Sequence, residues 1–216
     1  MHPPAAAKVA DKTRGRIIKA AEKLFAEKGF RAMTLRDVTR AAGVNLAAVN
    51  YHFGSKTNLM RAVIRCRIEP INAERLQRLE GLVAEHRPNA VPLEQIFGAL
   101  FRPLFEHAAG ARGKDHTFMQ MIGRALTEPA DFMRKMHKEF FTELSRRFLA
   151  ELERACPELS EQDLQLRFYF AVSTMLGTVA EQVRLENISG GKLRGRNLDT
   201  LCHELTAFVV AGFKQA

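Results

Sequence analysis

The sequence predicts an all-α chain in two parts: a small N-terminal domain of three helices built on a helix-turn-helix, and a larger helical body behind it. Three observations carry this. Apolar residues recur at three- and four-residue spacing almost throughout, and no run shows the two-residue alternation of a half-buried strand. Residues 34–57, TLRDVTRAAGVNLAAVNYHFGSKT, read as a helix, a glycine turn and a second short helix. The charge is also divided: residues 1–68 hold 14 Lys and Arg against 4 Asp and Glu, whereas residues 69–216 hold 19 against 20. The net +9 of the chain therefore sits with the helix-turn-helix. A basic part joined to a neutral one is the footprint of a phosphate-binding module on a separate body.

Taken in order, residues 1–12 lack an apolar segment and read as a flexible arm. Residues 13–60 form the small domain. Its first helix runs from Arg14 to Lys28, with Ile17, Ile18, Ala21, Leu24 and Phe25 on one face, and Gly29 ends it. Lys12, Arg14, Arg16 and Lys19 lie near its start, where they either meet phosphates or face solvent. Thr34 caps the second helix, with Asp37 three positions on, and Leu35, Val38 and Ala42 point inward. Gly43 supplies the turn because a left-handed backbone costs it nothing sterically. Asn45 caps LAAVNYHF, whose Val49 and Phe53 return to the core. Leu46, Ala47, Ala48, Asn50, Tyr51 and His52 are left on an outer face, and two small residues there let the helix backbone approach a grooved partner.

Residues 61–216 form the body. The fourth helix, capped by Ser55, continues through Pro70, where a kink is expected, and ends at Arg87-Pro88-Asn89. Beyond it the pattern gives a helix from Val91-Pro92 interrupted at Pro103, a loop over 110–113, and a helix over Phe118–Leu126. One long helix then spans Phe132 to Leu152, and another runs from a Ser160 cap to about Asn187. A loop over 189–195 leads to a last helix from about Leu198 to Phe213.

Composition narrows the function classes. No run approaches the ~20 apolar residues of a membrane-spanning helix, and no signal-peptide pattern is present. Cys66, Cys156 and Cys202 are odd in number and far apart, which suits reduced thiols in a cytoplasm. There is no glycine-rich phosphate loop and no His-Glu-x-x-His, and His107, His116, His137 and His203 have no ligand spacing. Catalysis, a metal and a cofactor are therefore not expected.

The run Leu24–Leu59 goes beyond spacing. It resembles the DNA-binding domain of the TetR family of bacterial transcriptional repressors, through Phe25, Gly29, Phe30, Thr34, Ala42-Gly43-Val44, His52-Phe53 and Ser55-Lys56. Thr39 stands where most members have Ala, and Asn50 where most have Tyr, which changes a DNA contact. The resemblance implies a homodimer on palindromic double-stranded operator DNA, with Thr34, Arg36, Asn45, Leu46, Ala47, Ala48, Asn50, Tyr51, His52 and Lys56 on the DNA side. Thr34, Tyr51, His52 and Lys56 would serve phosphates. Asn50 carries an amide suited to the edge of adenine, and Ala47 or Ala48 suits a thymine methyl. The family also pairs its last two long helices with their symmetry mates, so Phe168, Val172, Leu176, Val179, Leu205, Phe208 and Val209 are the expected dimer contacts.

Eight of the fifteen phenylalanines fall between residues 97 and 148, with Met119, Met121, Met133 and Met136 among them. Such a set is either plain core or a soft ligand cavity. The expected lining is Phe101, Phe105, Phe118, Met119, Ile122, Phe140 and Met175. Arg124, a lone cation on a greasy helix, is expected to clamp an anionic head group, to pair with Glu128, or to face water. The run VNLAAVNYHFGSK resembles members that respond to fatty acids or their acyl-CoA esters, and so implies a small apolar fatty acyl effector. Two alternatives stay open: an aromatic or drug-like inducer of an efflux or catabolic operon, and a constitutive architectural DNA binder without ligand.

Overall fold

A computed structural model describes residues 5–110, 115–128, 130–193 and 197–214, and among them it contains helices and no strand. The small domain comprises α1 (Ala5–Ala32), α2 (Leu35–Ala42) and α3 (Leu46–Phe53), and α4 (Lys56–His86) leads out of it. The body adds α5 (Leu93–Ala109), α6 (His116–Ala125), α7 (Ala130–Phe140), α8 (Thr142–Ala155), α9 (Glu161–Ala180), α10 (Gln182–Ile188) and α11 (Leu198–Lys214).

Several boundaries differ from the sequence reading. Residues 5–12, expected as part of a flexible arm, are the first turns of α1, and Ala5-Ala6-Ala7 has the highest helix propensity available. Residues 1–4 of that arm, 111–113 of one expected loop and 194–195 of another lie outside the described residues. The expected helix over 132–152 is two helices joined at Phe141 (φ −125°, ψ −13°). Thr142 donates from Oγ1 to the Lys138 carbonyl at 3.0 Å beside this joint, a local competitor to the helix ladder. The helix from Ser160 likewise divides at Glu181 (φ −116°, ψ 47°). Apolar spacing continues through both joints, so periodicity alone reads across them. Conversely, α4 and α5 run through Pro70 and Pro103 without ending.

α5 is the centre of the body, packed against α4, α8 and α11, while α9 lies against α6, α8 and α11. A single apolar core runs from Ile17 of α1 to Phe213 of α11. Phe25 anchors it in the small domain, and Phe97, Phe101, Phe105, Phe118 and Phe148 are fully enclosed in the body. Burial of aromatic rings on this scale is the main force holding the layers together.

Gly29 breaks α1 near its end, with φ 76° and ψ 173°, a backbone region open essentially to glycine alone. A Cβ there would also lie 2.3 Å from Glu128 Oε1. Gly29→Ala is therefore expected to destabilise the protein by roughly 1–3 kcal/mol. Gly15, in the same helix, has open space where a Cβ would stand. Gly15→Ala should stabilise by about 0.5–1 kcal/mol. Thermal denaturation of the two variants tests the contrast, and shifts of the same sign would refute it.

Candidate nucleic-acid interface

The helix-turn-helix is fastened by caps at each end. Thr34 Oγ1 accepts from the Asp37 amide at 3.1 Å, and the Asp37 carboxylate accepts from the Thr34 amide at 3.2 Å and hydroxyl at 2.8 Å. These bonds, the hydroxyl's first, hold the Asp37 carboxyl below the usual carboxylate range, with Lys28 and Arg40 adding to the effect. Gly43 closes α2 in the left-handed region (φ 61°, ψ 44°). Arg16 donates from Nη2 to the carbonyls of Ala42 at 2.5 Å and Gly43 at 2.9 Å, placing a cation on the negative end of α2. Asn45 Oδ1 accepts from the Ala48 amide at 2.8 Å, and Ser55 Oγ from the Asn58 amide at 3.1 Å.

Val49 and Phe53 bury one side of α3. Its other side presents Leu46, Ala47, Asn50 and Tyr51 to solvent, with Tyr51 83% exposed; Ala48 and His52 are half-buried. Thr34, Arg36 and Asn45 are exposed too. An α-helix is about 10–12 Å across and the major groove about 12 Å wide, so this face can enter the groove as a unit. It offers one amide, one phenol and small or aliphatic surface, which is suited to reading base edges and thymine methyls.

Lys56 has a further task that its sequence position did not disclose. It is half-buried, and Nζ donates to the carbonyls of Phe30 at 2.7 Å and Met33 at 2.9 Å while lying 4.5 Å from the centre of the Phe30 ring. Two of its three donors thus fasten α4 to the α1–α2 connection. The signal was present in outline: residues 30–34 connect two helices, and carbonyls in such a connection require donors.

Arg124 is corrected. It is exposed at the end of α6, and it reaches into the small domain rather than the body's interior. Its Nη2 donates to the Glu27 carbonyl at 2.8 Å and its Nε to the Ala26 carbonyl at 3.3 Å, next to the break in α1. One turn on, Glu128 Oε1 accepts from the Phe30 amide at 2.7 Å. The Phe30 ring stacks on Phe132 of α7, centroids 4.2 Å apart and planes within 8°. Arg124 and Glu128, each bound to backbone of α1, therefore form a clasp between the small domain and the body. Ion pairs from Arg67 to Glu22 (2.6 Å) and Asp115 (3.2 Å) brace the same joint.

The other expected lining residues, Phe101, Phe105, Phe118, Met119, Ile122, Phe140 and Met175, are all buried in the body. The expected dimer set is largely corrected. Phe168, Val179, Leu205 and Val209 face the protomer's own core, and Val172 and Leu176 are half-buried against it; Phe208 alone of that set is exposed, at 70%. The face that α9 and α11 do present holds Tyr169 and Phe170 with Phe208. The apolar pattern there covers more than one face, and periodicity does not say which face the body itself takes.

Removing the acceptor in Glu128→Ala leaves the Phe30 amide without its partner. A hydrogen bond to a charged group is worth about 1.5–3 kcal/mol, so exchange of this amide with deuterium should quicken at least tenfold. Unchanged exchange at Phe30 would show that the clasp does not hold in solution.

A family model described as "Tetracyclin repressor-like, C-terminal domain" matches residues 98–212, and one described as "Bacterial regulatory proteins, tetR family" matches residues 17–63. The transcriptional regulator TtgR of Pseudomonas putida is 40% identical over 55 residues, 26% of this chain and 26% of that one, so the chain matches about a quarter of that relative's length. Two solved structures share the fold over nearly the whole chain. The fatty acid degradation regulator FadR from Bacillus halodurans has a TM-score of 0.62 at 16% identity, covering 94% of this chain and 97% of that one. FadR from Bacillus subtilis, in complex with stearoyl-CoA, has a TM-score of 0.54 at 18% identity, covering 91% and 97%. With the helix-turn-helix and the body each matched by a model of the same kind, the chain belongs to the TetR family of bacterial regulatory proteins.

Proposed function

We propose that the chain is a homodimeric, ligand-responsive repressor that binds palindromic operator DNA through α3 and senses a fatty acyl effector in its body. The observation that carries the reading is the outward face of α3, on a basic, reciprocally capped domain whose exit helix α4 continues into the body. Two such helices in a dimer match successive major grooves only when they lie about 34–36 Å apart, or a multiple of that. An effector that moves α4 changes this separation. It needs to favour the mismatched state by only a few kcal/mol to alter occupancy of the operator.

The effector class is supported by the phenylalanine- and methionine-rich body and by the stearoyl-CoA named in the complex of the Bacillus subtilis neighbour. The dimer is supported by the apolar surface that α9 and α11 leave exposed. Thr174 and Phe208 line two adjoining grooves on that face, of about 630 and 420 Å³, and Phe170 borders the smaller. Gly177 lies in the larger and would permit close approach of a second copy.

A gel shift on DNA upstream of the chain's own gene, with and without dodecanoate and dodecanoyl-CoA, tests the reading. A shifted band that either compound alters is expected. No shifted band at all would sink the repressor, and a band indifferent to every acyl compound would sink the effector class. Asn50→Ala should relax preference at one base pair in each half-site by about 1–3 kcal/mol while sparing non-specific binding. An unchanged profile from a randomised-site selection would return Asn50 to the backbone contacts. Phe208→Arg should yield monomers in sedimentation equilibrium, and a persistent dimer would place the interface elsewhere.

A further inference from the structure

Arg75 lies in the middle of α4, 3% exposed, in the core of the body. Its Nε donates to the Leu100 carbonyl of α5 at 2.7 Å and its Nη1 to Asn72 Oδ1 at 3.1 Å. Its Nη2 faces only the thioether of Met175 on α9, at 3.5 Å. Sulfur is a weak acceptor, and a methionine is easily displaced. Asn72 is itself buried and held in place, donating from Nδ2 to the Phe140 carbonyl at 2.7 Å.

No carboxylate among the described residues lies within 4.0 Å of this guanidinium. The nearby acids are engaged elsewhere. Glu74 and Glu106 are paired with Arg78, at 2.5 and 2.7 Å, and Glu139 is paired with Arg61 and Arg65, at 2.6 and 2.7 Å. Burial without a counter-charge pulls the Arg75 pKa down to about 10, which still leaves it a cation at neutral pH. An enclosed cation with three neutral acceptors and no anion is costly to keep, and buried charges are ordinarily paired.

We propose that Arg75, oriented by Asn72, is the anchor for the anionic head of the effector, and that this effector is a free carboxylic acid with an apolar chain rather than its CoA ester. The proposal rests on the fatty acyl reading above and deepens it. A carboxylate brings one negative charge to one buried positive charge, and its two oxygens match the Nη1–Nη2 edge of a guanidinium. The thioether of Met175 moves aside to admit it. Phe140 and Met175, which flank the site, belong to the apolar set that would receive the chain. A CoA ester lacks that carboxylate, and its several phosphate charges exceed the one positive charge that Arg75 offers. The anchor stands on α4 itself. From Lys56 to Arg75 is 19 residues of one continuous helix, about 28 Å, so a displacement at the anchor is delivered at the small domain.

The experiment is calorimetric titration of the dimer with dodecanoate, 1-dodecanol and dodecanoyl-CoA, in the natural sequence and in Arg75→Met, with circular dichroism melts to confirm folding. The acid should bind at least tenfold more tightly than the alcohol and the ester, and Arg75→Met should bring acid and alcohol to equal affinity. If Arg75→Met does not fold, Arg75→Gln, which keeps a donor for the Leu100 carbonyl without the charge, is read in the same way. Equal binding of acid and alcohol in the natural sequence overturns the anchor and leaves the acyl reading intact. So does a preference for the acid that survives loss of the charge. A CoA ester that binds as tightly as the acid overturns the free-acid assignment. If none of the three binds, the anchor and the acyl reading fall together.

Discussion

The joint at Gly29 is the constraint on which the rest of the arrangement depends. A helix that continued through this point would keep the Phe30 amide for its own ladder. The break frees that amide for Glu128 and turns the Phe30 ring onto Phe132. The carbonyls left behind at Ala26 and Glu27 take Arg124, and those of Phe30 and Met33 take Lys56. Orphan backbone groups that elsewhere would go to water thus become the fastening between the small domain and the body. Two elements meet at this joint, the end of α6 and the start of α4, and both are anchored in the body. Movement in either is felt where α1 and α2 connect.

That dependence changes how the basic residues are understood. A basic small domain invites the assumption that its cations serve phosphates. Two of them are instead bound to the protein's own backbone: Arg16 to the end of α2 and Lys56 to the α1–α2 connection. The net charge remains, and with it long-range attraction to polyanions, because a hydrogen bond to a neutral carbonyl cancels no charge. What is lost is freedom of the side chain. A fixed cation beside a helix end is a more rigid contact than a mobile one, and costs less entropy when it meets a phosphate.

The small domain was legible in the sequence because its signals are local. Caps at Thr34, Asn45 and Ser55, the turn at Gly43 and the inward Val38, Val49 and Phe53 each declare themselves within four residues, and the structure has all of them. The body was legible in class and not in detail. Helix joints at Phe141 and Glu181 fall inside unbroken apolar spacing, and α9 is greasy on more than one face, so the choice of inner face is made by packing alone. Arg124 shows the same limit. A cation flanked by Ile122 and Leu126 looks interior on its own helix, yet contacts 97 and 98 residues away decide where it points. Arg75 was missed for the converse reason: it sits in a stretch of α4 rich in charge, between Glu74 and Arg78, although Ile71 and Leu79, four residues to either side, place it on the buried face of the helix.

A ligand shifts a two-state equilibrium only by its differential affinity for the two states, so a well-packed apolar core with no polar feature would respond weakly to anything it admitted. A buried cation changes that balance. The body carries the cost of Arg75 in partly satisfied form, with Asn72, the Leu100 carbonyl and the Met175 sulfur as neutral partners. Any rearrangement that brings an anion to it is favoured by charge pairing in a low-dielectric interior, an interaction far stronger there than at the surface. The same residue is spaced along one helix from Lys56, which holds the domain joint. Under the proposed role, the cost at Arg75 and the geometry at the joint therefore meet on a single helix.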